Sequence, residues 1–400
     1  MRWGMRTLHL GIFVSLVLFG VWSPPGSAAE TIRVALSTQA ARVTILRPRH
    51  VRLYLPSKGS TVRSTPLRLE PNTHGLRINS RHVNASKVLV DGNKQTLRIK
   101  IQTRVETNGP ANSFRDWNVG GAVLVQSVGS QLSVVNRVDL EEYVAEVVTG
   151  EINPHWPRES LKAQAVAART YALYKKMLRK KEPYDVAAGV QDQVYEGKAH
   201  VNPTVQQAVH DTRGRVITYQ RRPIFAAYSS TAAGPTEDAR FVWDLDLPYL
   251  KGVECPFDEG SPRYAWQASI PLQELERHLR RSGYHVGTIA TITPYTFTPS
   301  GRVDRLRILH SLGALILRGQ DFRRAVGYSR IFSTHFHIER LDKNLVLEGN
   351  GSGHGVGLCQ WGMKEMAELG YDYQTILRYY YPGTKLLPLR KVKLAPQVSS

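Results

Sequence analysis

"PRESLKAQAVAARTYALYKKMLRKK", residues 157–181, is the stretch that decides the fold class. Proline at its first position and Glu159 in its first turn are helix-start signals. Leu161, Ala165, Ala168 and Ala172 recur at helical spacing and make a stripe of small side chains that another element can approach closely. Around this helix lie mostly short strand-like runs, with no βαβ alternation, so the expected class is α+β.

Upstream, residues 30–110 hold "TIRVAL", "ARVTIL", "VRLYL", "KVLVD" and "TLRIKIQT", separated by Gly, Pro, Asn and Ser, the pattern of small antiparallel β-structure. "NGPANS" at 108–113 is a loop and a boundary, after which "GAVLVQSVGSQLSVVNRV" resumes as strands with a tight turn at "GS". Downstream, helices are expected over 202–212, 271–283 and within 319–327, with a hairpin in "RVITYQRRPIFAAYSS". Two short helices, "MKEMAELG" and "YDYQTILRYYYPG", close the chain.

The first 29 residues have the layout of an export signal. Arg2 and Arg6 precede the apolar run "LHLGIFVSLVLFGVW", and small residues at 27–29 suit cleavage after Ala29. The expected organisation is a signal peptide at 1–29, a β-rich N-terminal domain at 30–112, a larger mixed core at 113–390 and a tail at 391–400. Location is expected to be exported, in a periplasm or envelope. The chain's net charge of +20 falls to about +18 once Arg2 and Arg6 are gone, which favours a polyanionic partner. Export and the dispersed basic residues argue against nucleic acid; of the other two polyanions, an anionic membrane surface and a wall glycan with exposed carboxylates, the glycan is the preferred reading. The two cysteines, Cys255 and Cys359, are placed either as a disulfide or as free thiols.

Some chemistries are excluded. There is no G-x-x-x-x-G-K-[ST] and no H-E-x-x-H. The pair in "HFH" at 335–337 is weak evidence for zinc, and neither a metal nor a cofactor is expected. Glu151 stands out in "VVTGEINPHWP", among Val147, Val148, Ile152 and Trp156. A carboxyl among apolar neighbours loses hydration, so its pKa rises and it keeps a proton for general acid catalysis. The plainer alternative is an exposed loop glutamate. Lys162 and Arg169, seven apart on the long helix, read on spacing alone as a solvated face.

"VDLEEYVAEVVTGEINPHWPRESLKAQAVAARTYAL", with "QVYEG" (193–197), "AAYSSTAAGPTEDARFVW" (226–243) and "GSGHGVGLCQWGMKEMAELGYDYQTILRYYYPGT" (351–384), resembles the stage II sporulation protein D family, also called the SpoIID/LytB or amidase-enhancer family. The resemblance runs from Asp139 to Thr384, with a gap around 260–310. It implies a lytic transglycosylase that cleaves peptidoglycan strands stripped of stem peptides. Glu151 is then the acid/base, with one long helix beside a glycan cleft. Lys162, Arg169, Tyr195, Ser229, Ser230, His354, Gln360 and Trp361 become substrate contacts. In this reading the glycines of "GNGSGHGVGLCQWG" (349–362) floor a trough for sugar rings. The resemblance implies two departures: the Cys and His that bind zinc in some relatives are missing from "VAAGVQDQVY", and Tyr228 stands where relatives often have His. The rival implication is a non-catalytic wall-binding protein with a cell-wall amidase as its partner.

Overall fold

The computed structural model describes residues 30–56, 59–104, 112–189, 191–198 and 201–395. The expected signal peptide, most of the 108–113 loop and the last five residues lie outside them.

The runs "TIRVAL" and "ARVTIL" are one 17-residue strand, Thr31–Arg47. It is long because it serves two sets of neighbours. Its first half pairs antiparallel with Gln131–Asp139, and its second half pairs with Leu67–Asn72 and Leu97–Arg104. Register shifts between Ala35 and Ala40 separate the halves. Such bulges bend a strand and increase its twist, and the 12-stranded sheet curls around them. Alternation is clean where the sequence alternates: His50–Leu55 exposes its first residue and buries its second throughout. Val34, Ile45, Val90, Val125 and Val134 are among the fully buried residues on the inner face.

Eight helices are described: α1 (Leu140–Glu151), α2 (Arg158–Leu178), α3 (Pro203–Asp211), α4 (Ala239–Trp243), α5 (Leu272–Arg281), α6 (Gly319–Val326), α7 (Gln360–Glu368) and α8 (Tyr373–Tyr380). None is long and apolar enough to cross a membrane. The expected long helix is α2, and its alanine stripe is fully buried. Small residues allow α1, α3, α7, α8 and the strand Arg215–Tyr219 all to pack against it.

Helix α1 is where the sequence expectation was incomplete. It continues directly from the strand Gln131–Asp139, with the Asp139 carboxylate accepting from the Glu141 and Glu142 amides. Glu151 therefore ends a helix rather than sitting in a loop.

Residues 265–350 hold antiparallel strands with α5 and α6, and a second hydrophobic cluster built from Trp266, Leu275, Leu306, Phe322 and Leu347 among others. The fold is thus mixed α+β, with a curled β-rich N-terminal sheet and a helix-containing C-terminal core.

Candidate active site around Glu151

Glu151 is half-buried at the end of α1. Its Oε1 accepts the Val194 amide at 2.8 Å and the Tyr228 hydroxyl at 3.1 Å. The hydroxyl is oriented by a relay: Tyr143 donates to Gln193 Oε1 (2.9 Å), and Gln193 Nε2 donates to Tyr228 Oη (2.9 Å). Every proton in this chain points toward Oε1. Among the described residues no hydrogen bond reaches Oε2. Burial raises the Glu151 carboxyl above its ordinary range, opposed by the Val194 amide, the Tyr228 hydroxyl and the Gln360 side chain. Desolvation is the largest of these influences, so the proton is held more tightly than on a solvated glutamate.

Gln360 and Trp361 reach the site from the first turn of α7. Among the described residues the Gln360 Nε2 is buried with no partner in hydrogen-bond geometry, while its side chain is close enough to act on the Glu151 carboxyl. Trp361 meets Trp156 edge-on at 5.2 Å between ring centroids. Both rings are partly exposed, giving an apolar surface on the same two segments that carry Gln360 and Glu151.

The remaining expected contacts are placed differently. Arg169 is completely buried, its guanidinium forked onto the Glu141 carboxylate at 3.0 and 2.6 Å. It is a cross-brace between α1 and α2, with no surface for a ligand. The Lys162 ammonium is held by Glu159 at 2.6 Å, and Glu159 also accepts the Tyr373 amide, so this group ties α2 to α8. Tyr195 is sealed, stacked near Trp117 and Tyr143, and donates to Asn136 at 2.7 Å. The Ser229 hydroxyl accepts the Gly355 amide, and the Ser230 carbonyl accepts the Trp361 amide; both serines hold the glycine loop in place.

His354 faces another space. It lines a cavity of about 470 Å³ together with Tyr171, Asp192, Trp243 and Arg323. Burial, with the charge of Arg323, pushes its imidazole down to about 3, and its Nδ1 accepts the Val356 amide. The ring is therefore neutral at physiological pH. Tyr228 belongs to both places, lining this cavity while its hydroxyl reaches Glu151.

The glycine loop is not an open floor. Gly351, Gly353, Gly355 and Gly357 all have positive φ, and the space where side chains would stand is occupied by protein. A Cβ on Gly357 would collide with the Ala227 carbonyl, and one on Gly351 would come within 2.7 Å of the Thr231 carbonyl. At Gly351 and Gly357 glycine is needed because two backbones approach each other, and at Gly353 and Gly355 because the Ser229 and Arg302 side chains fill the space. The parallel pairing of Tyr228–Ser229 with Leu358–Cys359 is that approach.

The acidic residues that precede Glu151 in the sequence are engaged or buried. Asp139 caps α1, Glu141 pairs with Arg169, and Glu142 pairs with Lys198 at 2.6 Å. Glu146 is not a surface residue: it is buried with neither oxygen hydrogen-bonded among the described residues. Sequence reasoning missed Tyr228 as a direct partner of Glu151 and Gln193 as the residue that positions the Tyr228 hydroxyl.

The family described as stage II sporulation protein matches residues 128–219, and a domain of unknown function matches 250–357. The stage II sporulation protein D of Bacillus amyloliquefaciens is 32% identical over 296 residues, covering 70% of this chain and 82% of that protein. An uncharacterized protein of Brachyspira hyodysenteriae is 35% identical over 273 residues, covering 68% of this chain and 73% of the relative. The amidase enhancer of Bacillus subtilis is 27% identical over 362 residues, which cover 78% of this chain but 50% of that protein. The chain belongs to the stage II sporulation protein D family, which includes the amidase enhancers.

Proposed function

We propose that the protein acts outside the cytoplasm on peptidoglycan glycan strands, with Glu151 as the proton donor of a lytic transglycosylase reaction. The observation that carries this reading is the raised, desolvated Glu151 carboxyl with one oxygen fixed and the other left for a ligand. Protonated Glu151 donates to the glycosidic oxygen as positive charge develops on the muramic ring. The resulting carboxylate then takes the proton of that sugar's 6-hydroxyl, whose attack closes an anhydro ring. One carboxyl suffices for both transfers, whereas a hydrolase usually needs a second one about 5–10 Å away. The engagement of Asp139, Glu141 and Glu142 and the sealing of Glu146 favour the one-carboxyl route. The Trp156–Trp361 pair supplies the flat apolar surface on which a sugar face rests.

A second reading has its own support. The similarity to an amidase enhancer extends over 362 residues, and the relatives' names speak of sporulation and enhancement rather than of glycan cleavage. On names alone the comparisons favour a non-catalytic wall-binding activator of a cell-wall amidase. Glu151 would then bind a sugar hydroxyl without transferring a proton.

The deciding experiment incubates the full chain and Glu151→Gln with peptide-free glycan strands and analyses the products by mass spectrometry. Anhydro-muramoyl ends are expected from the wild type, with a rate loss of at least about 100-fold in the variant. Reducing ends would replace transglycosylation by hydrolysis. Binding without cleavage by either protein would remove catalysis and leave the activator.

A further inference from the structure

We infer that Cys255, Asp258 and Cys359 form a binding site for a zinc-class divalent cation, set beneath the first turn of α7 and separate from Glu151. Their ligand atoms, two sulfurs and a carboxylate oxygen, lie within 4.8 Å of one another, and all three residues are buried. Neither cysteine is in a disulfide.

The independent indication is the Asp258 carboxylate. Its Oδ2 accepts the amides of Ala232 and Ala233 at 2.7 and 2.8 Å and the Cys359 thiol at 3.1 Å. Its Oδ1 is sealed and has no hydrogen-bond partner among the described residues. A buried carboxylate oxygen without a partner is costly, and in proteins it is met by a donor or a cation. Two thiolates and a carboxylate are a donor set suited to tetrahedral zinc. The Tyr380 hydroxyl lies 3.3 Å from Cys255 Sγ, beside the cluster. A zinc ion with three anionic ligands leaves one negative charge. The buried Arg302 guanidinium is near enough to offset it, since it donates to the carbonyl of Ala232, whose own amide holds Asp258.

The packing around the cluster fits the same role. A Cβ on Gly362 would come within 2.7 Å of Cys255 Sγ, so glycine is what lets α7 close over the sulfurs. Cys359 caps α7 by accepting the Gly362 amide, and Gln360 and Trp361 follow it directly. An ion here anchors the end of the helix that brings both residues to Glu151. A disulfide, the competing use of two cysteines in an exported protein, would leave Asp258 Oδ1 as it is.

The test is metal analysis of the full chain, produced with zinc in the medium and purified without chelator or oxidant. The expected result is about one zinc per chain, with cobalt exchange giving a thiolate-to-cobalt charge-transfer band. Asp258→Asn and Cys255→Ser are expected to lose at least about tenfold in zinc affinity. If either variant does not fold, the cobalt spectrum of the wild type decides. Thiol titration of the denatured protein provides the opposite result. No free thiol and no metal, or two free thiols with no zinc taken up, would each overturn the site.

Discussion

After burial and the Val194 amide, Tyr228 helps to set how firmly Glu151 holds its proton. Its hydroxyl donates to the carboxylate at 3.1 Å and so favours the ionised form, against the burial that favours the neutral one. Tyr228→Phe removes that donor and keeps the ring. The Glu151 carboxyl should then titrate at higher pH than in the wild type, measured by NMR of the side-chain carboxyl. If Glu151 is the acid, the alkaline limb of the cleavage profile should move up with it. An unchanged or lowered titration would mean that the Tyr228 hydroxyl does not stabilise the ionised carboxylate. Glu146 is a cleaner case of burial. Its carboxyl is raised from 4.5 to about 7 by desolvation, partly opposed by Tyr195 and Lys198. A carboxyl raised on folding stabilises the fold fully only below its unfolded value, and that contribution is lost as pH rises through the folded one. Stability attributable to Glu146 should therefore fall between about pH 4.5 and 7. Glu146→Gln removes the penalty. Thermal unfolding should show little difference from wild type at acid pH and a gain of at most roughly 3 kcal/mol above neutrality.

At the scale of elements, Arg169 separates a structural from a binding role. Arg169→Leu leaves the Glu141 carboxylate in a partly buried site with one neutral partner, the Gly214 amide. Breaking such a pair from one side costs about 3–5 kcal/mol, read by denaturant unfolding. Lys162→Ala disturbs a more exposed pair and should cost about 1 kcal/mol or less. A loss of glycan binding by Arg169→Leu without loss of stability would restore it as a ligand contact. The sequence made α2 legible because its start signals and alanine stripe agree, and the stripe is buried as spacing implied. It made α1 less so. Leu140, Tyr143, Val144, Val147 and Val148 follow the helical period and are buried, but three valines in five favour a strand on propensity, and the preceding segment is one. What decides is the Asp139 cap with Glu141 and Glu142 in the first turn. The glycine loop misled for a different reason. Alternate glycines mark close backbone approach, but a sequence does not say whether the approaching backbone is ligand or protein. The partner strand at Tyr228–Ser229 lies more than a hundred residues away.

For the whole molecule, the two hydrophobic clusters explain why resemblance faded around 260–310. That region builds its own core, matched by a different family description. The net charge of +20 belongs to the chain as a whole, and the two basic residues expected at the site, Lys162 and Arg169, are both taken by glutamates. Attraction to a polyanionic glycan should therefore act at long range and be screened by salt, whose Debye length falls from about 10 Å at 0.1 M to about 3 Å at 1 M. Affinity for peptide-free strands, whose lactyl carboxylates are charged, should fall at least about tenfold between roughly 0.05 and 0.5 M sodium chloride. Neutral chitin oligomers, which offer the same ring faces to Trp156 and Trp361 without the carboxylates, should bind with little salt dependence. Equal salt sensitivity for both ligands would place recognition in the ring contacts and deny the surface charge a part in it.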